Sequence, residues 1–161
     1  MRTELQLILR IWGARLDPGE MTLRTGVSPR RAFEVGEARG RAASQVAGWE
    51  WESRTGNDVE PLMADLVRAL GPHASHVKAA ADAGAMVQLT VVGTVAGDLI
   101  PDAVTADATG YAVPEGEGFE PFIAADRPVI YFDEAALGFL SATSAVLEVH
   151  LDFDLDARRT G

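Results

Sequence analysis

Residues 5–26 read LQLILRIWGARLDPGEMTLRTG, Leu5 to Gly26. The first half has a period of two. Leu5, Leu7, Leu9 and Ile11 alternate with Gln6, Ile8, Arg10 and Trp12, the pattern of a strand with one apolar face. The second half starts a helix. Asp17 stands where an N-cap would be, Pro18 takes the first helical position and Glu20 the third, a strong initiation signal. Gly26 then offers a left-handed stop. This strand-into-helix passage sets the class of fold and leaves the chemistry open.

Three further stretches repeat the alternation. Ala47 to Ser53 places Trp49 and Trp51 on one side, with Gly48, Glu50 and Glu52 on the other; two such rings on one face predict core, given how much area they bury. Met86 to Val95 sets Val87, Leu89 and Val91 against Gln88, Thr90 and Val92. Val146 to Asp156 has the cleanest pattern, with Leu147, Val149, Leu151, Phe153 and Leu155 opposed to Glu148, His150, Asp152, Asp154 and Asp156. Between them, Leu62, Met63, Leu66, Val67 and Leu70 keep the spacing of a buried helical stripe over Val59–Leu70. Gly71-Pro72 predicts a break, and an alanine-rich helix is expected from His73 to Ala83, ended by Gly84. Asp133 predicts a cap for a helix over Glu134–Thr143, with Leu137 and Leu140 facing inward. Phe33 and Val35 alternate as a short edge strand would.

Each main strand is apolar on one face only. A doubly wound parallel sheet, covered on both faces, needs continuous apolar runs. The expectation is therefore an α+β, two-layer sandwich: a mostly antiparallel or mixed four-stranded sheet, helices on one face, ferredoxin-like, in a single domain spanning 1–161. Leu7, Leu9, Trp49, Leu89, Val91, Val149 and Leu151 should be buried, and Gln6, Glu52 and Asp152 exposed. Residues 98–128 lack a clear period and hold four of the eight prolines. They read as an insertion or mobile loop, and 157–161 as a tail.

The chain carries a net charge of −10 and no cysteine. Disulfides, thiolate metal sites and cysteine nucleophiles are excluded, and a cytoplasmic location is expected. No segment has the apolar length of a membrane span. The charge is uneven: residues 1–54 hold nine arginines against seven acids, a net of +2, and residues 55–161 carry the remaining −12. Such a balance repels phosphate backbones, so nucleic acid is not an expected partner. It steers basic partners instead.

Leu9 to Ser53 resembles the opening of a bacterial family known as domain of unknown function 4279. The residues that carry the resemblance are the strand ending at Gly13, Leu16-Asp17-Pro18, Met21-Thr22, and Ser28-Pro29-Arg30-Arg31-Ala32-Phe33 followed by Gly36. Gly48-Trp49 and Glu52-Ser53 continue it. Later elements follow in a similar order, apart from 98–128. The resemblance implies a small α/β domain and brings no activity and no catalytic residue with it.

The sequence has no phosphate loop, no dinucleotide fingerprint and no His-Glu-x-x-His helix. His73 and His76 share a helix face, but a metal site needs further ligands. No catalytic residue, metal or cofactor is assigned. Two functions remain open. In the first, the protein is a non-catalytic interaction module of inhibitor or immunity type. Glu50, Glu52, Glu148, His150 and Asp152 would then meet a basic protein partner across an acidic open sheet face. In the second, it is a binder of a small anion, or an enzyme, with Arg30 and Arg31 gripping the ligand near Trp49 and Trp51.

Overall fold

The computed structural model describes residues 2–39, 42–96 and 130–154. The expected insertion at 98–128 and tail at 157–161 lie outside them. The chain opens with β1 (Arg2–Gly13) and α1 (Pro18–Thr25). Three short strands follow, β2 (Arg31–Phe33), β3 (Ala38–Arg39) and β4 (Ala42–Ala43), and then β5 (Ala47–Glu52). Next come α2 (Val59–Leu70), a 3₁₀ turn (Gly71–His73), α3 (Ala74–Asp82) and β6 (Met86–Ala96). Last are α4 (Glu134–Thr143) and β7 (Val146–Asp154).

Five strands form one mixed sheet in the order β2-β5-β1-β6-β7, and β3 and β4 form a separate two-stranded ladder. Pairing is antiparallel except between β6 and β7, which run parallel. The fold is α+β with an open sheet. Its fifth strand is β2, the short edge piece expected near Phe33. The helices share one core with one face of the sheet: Leu5, Leu7, Leu9, Ile11, Trp49, Val87, Leu89 and Val91 meet Met21, Leu62, Leu66, Val77 and Phe139.

The local signals explain the helix boundaries. Asp17 accepts a hydrogen bond from the Glu20 amide at 2.8 Å, and Gly26 closes α1 at φ +65°. Asp58 and Asp133 cap α2 and α4 in the same way. Asp17→Ala should therefore cost about 1 kcal/mol, read as a lower urea midpoint with an unchanged slope. At Gly71-Pro72 the expected break is a single 3₁₀ turn that leads directly into α3, since Pro72 has no N–H to continue the α-helical ladder.

Three expectations about burial need correction. Val149 is 45% exposed and Leu151 is half-buried. They lie on the edge strand β7, and α4 packs chiefly on α2 and α3. Leu137 is exposed too, because the inward stripe of α4 is Ala136, Phe139 and Thr143. Gln6 and Glu52 are half-buried, not exposed, since each is engaged: the Gln6 amide donates to the Ser53 carbonyl at 3.1 Å, and Glu52 faces Arg30.

Candidate functional site

The strand registers lay out the face opposite the helix layer as successive rows of side chains, with Ile8 and Thr90 buried near its middle. The first row is Phe33, Gly48, Trp12 and Met86, running from β2 across β5 and β1 to β6. The second is Arg31, Glu50, Arg10, Gln88 and Val146. The third holds Glu52, Ile8, Thr90 and Glu148, and the fourth holds Gln6, Val92 and His150. Asp152 stands opposite Thr94 beyond them. Rows lie about 7 Å apart along the strands, and neighbours within a row about 4.8 Å apart.

This order separates the acidic residues that the sequence grouped together. Glu50 and Glu52 lie on β5, whereas Glu148, His150 and Asp152 lie on β7, three strands away and so about 14 Å distant. The two groups also differ in charge balance. Glu50 receives the Arg10 Nε–H at 2.6 Å, and Glu52 is 3.5 Å from Arg30 Nε. On β7, His150 Nε2 meets Glu148 at 3.1 Å, and Asp152 is exposed. Among the described residues, the acid of this face that no arginine meets therefore lies at one edge of the sheet.

The arginines and tryptophans of the anion-binding alternative occupy opposite faces. Arg31 pairs with Glu50 on the open side, and its guanidinium lies 5.9 Å from the Phe33 ring centre. Trp49 points into the helix layer, where its indole N–H donates to Thr22 Oγ1 at 3.0 Å. Trp51 is half-buried against the same core. His73 and His76 stack with ring centres 6.2 Å apart. Among the described residues, no group of three or more His, Asp or Glu side chains is placed to hold a metal ion. On the helical surface, hydrogen bonds from Arg54 and then Arg68 hold the Asp65 carboxyl below the usual carboxylate range.

Two features escaped the sequence reading. The first is the outer edge of β7. It is nine residues long and has no further strand beside it among the described residues. Leu147 and Val149 stand exposed on its helix-layer side. The alternation of Val146 to Asp156 assigns these side chains to a face but carries no information about what covers them. The second is a groove of about 350 Å³ at the other end of the open face, lined by Arg10, Trp12, Phe33, Val46, Glu50 and Gln88. Phe33 leans over Gly48 so closely that a Cβ there would fall 2.2 Å from its ring. The pairing of Phe33 with Gly48 is long-range, and no local pattern announces it.

Among the described residues, no helix is long and apolar enough to cross a membrane. No curated protein and no solved structure matches the chain. A family model does match: residues 3–107, from β1 through β6, fit Domain of unknown function (DUF4279), and the chain belongs to that family.

Proposed function

We propose that this protein is a non-catalytic interaction module that docks an extended, basic segment of a partner protein along the outer edge of β7. The observation that carries this reading is a backbone edge with no further strand beside it among the described residues, flanked by apolar side chains on one face and acidic ones on the other. Strand addition draws affinity from main-chain hydrogen bonds and specificity from alternate side chains. A segment alternating apolar and basic residues would cover Leu147 and Val149 on one side and meet Glu148 and Asp152 on the other. The stretch 146–154 has no proline, lysine or arginine, the residues that commonly blunt exposed edges. Its acids serve that purpose against acidic strands and favour a basic one. An inhibitor or immunity role against a basic target is one form of this activity. Arg30 and Arg31 favour the small-anion reading less, since Arg30 is engaged by Glu52 and Arg31 stands on the face opposite Trp49 and Trp51.

The test uses an eight-residue peptide of alternating valine and lysine, with a valine–glutamate peptide as control. The basic peptide should bind, and its association rate should fall as salt rises past about 0.15 M, where the screening length is near 8 Å. Glu148→Ala with Asp152→Ala should weaken binding about threefold to tenfold, the scale of two solvent-exposed charge pairs, with an unchanged melting temperature. Equal binding of the acidic peptide, or a salt-independent rate, would overturn the proposal.

A further inference from the structure

We propose that the groove formed by the first two rows of the open face is a binding site for a neutral oligosaccharide, distinct from the β7 edge. The side chains that line it divide into two kinds. Trp12 and Phe33 supply apolar ring surface, with Gly48 between them contributing no side chain. The adjoining row supplies planar polar groups in strand order: Glu50, Arg10 and Gln88. Several of their hydrogen-bonding atoms are unused among the described residues. The Trp12 indole N–H and the Gln88 amide make no hydrogen bond. Arg10 contacts Glu50 through Nε alone, and Glu50 accepts through Oε2 alone. The site therefore offers both donors and acceptors, side by side and in one line, next to an aromatic strip.

That combination selects the ligand class. A pyranose has an apolar C–H face that lies against a ring and a rim of hydroxyls that both donate and accept. Planar carboxylate, guanidinium and amide groups engage such hydroxyls two at a time. An anion is a poorer fit for the polar row, because the Arg10 charge is already met by Glu50 at 2.6 Å, and Arg31 stands outside the groove lining, against the Phe33 ring. A nucleotide is disfavoured by its phosphate for the same reason. The groove volume of about 350 Å³ suits one or two sugar units, and the polar row advances about 4.8 Å per strand. A flat, all-equatorial chain such as cellulose fragments follows that line, whereas a coiled one such as amylose fragments does not.

Cellotetraose and maltotetraose are the probes, read by calorimetry and by thermal shift on the full chain. At about a hundredfold excess over its dissociation constant, cellotetraose should raise the melting temperature by about 5 °C or more. Trp12→Ala and Gln88→Ala should each lower its affinity about tenfold or more, the scale of a lost stacking or buried hydrogen-bond contact. Trp12→Phe, which keeps a ring, should restore most of the stacking contribution, and this separates contact from a folding defect. Absence of binding at about 10 mM cellotetraose would overturn the proposal, because so weak an interaction is not a built site. So would binding that Gln88→Ala leaves unchanged, or stronger binding of maltotetraose.

Discussion

Replacing Trp49 by alanine should lower the unfolding free energy by about 3–5 kcal/mol, the range for deleting a large aromatic from a packed core. Trp49 is 1% exposed and faces Ile11 across the β1–β5 pair. Its indole N–H donates to Thr22 Oγ1, and the Thr22 hydroxyl in turn donates to the Pro18 carbonyl. One side chain thus joins the sheet to the first turns of α1. In a chain of this length, the loss should reduce the melting temperature by about 10 °C or more. Trp49→Phe keeps most of the apolar volume and loses the hydrogen bond, so a smaller cost of about 1–2 kcal/mol is expected. Chemical denaturation followed by circular dichroism measures both. A loss below about 1 kcal/mol for Trp49→Ala would mean that the ring is not the anchor described.

Gly93→Ala should be the most damaging change of a single methyl group, at about 2–3 kcal/mol. A Cβ at this position would fall 2.4 Å from Leu5 Cδ2 and 2.7 Å from the Glu4 carbonyl oxygen. The first contact can yield by rotating a side chain. The second is to backbone in the long β1–β6 ladder, where Leu5 stands directly opposite Gly93. Relief requires the two central strands to move apart, which disturbs the pairing that organises the sheet. Combining Gly93→Ala with Leu5→Ala should show non-additive energies, since the two residues share one space. The remaining conflict with Glu4 should prevent full recovery. Strictly additive energies in that double-mutant cycle would contradict the packing described.

The contrast between these two residues shows what the chain makes legible by itself. Trp49 could be placed in the core from alternation alone, because a period of two is a local property. The boundaries of α1 and α4 were equally local: Asp17, Gly26 and Asp133 act on amides a few residues away. Strand order is different. Nothing near Glu50 or Glu148 indicates that β1 and β6 lie between them, so the grouping of acids into one site could not be tested by pattern. The same holds for Arg31, which reaches the open face through its pairing with Glu50, and for Phe33, which fills the space above Gly48. Exposure of Val149 was hidden for a related reason: its face follows from alternation, but coverage depends on where distant helices end. The ladder of β3 (Ala38–Arg39) with β4 (Ala42–Ala43) was missed because two-residue strands rich in alanine have no period to read.

The charge distribution acquires a more specific meaning in the folded chain. On β5, Arg10 and Arg30 offset Glu50 and Glu52. On β7, the basic partner of Glu148 among the described residues is His150, at 3.1 Å. Among the described residues, acidity is thus local to the strand whose outer edge has no pairing strand, and this coincidence supports docking there over a diffuse electrostatic surface.

The most direct measurement is amide chemical-shift mapping of the ¹⁵N-labelled chain titrated with the valine–lysine peptide. The account predicts perturbations concentrated on the amides of 146–152, together with slower hydrogen exchange of those β7 amides that point away from β6. Perturbations centred on β2, or on the helical surface of α2 and α3 with β7 unchanged, would contradict it.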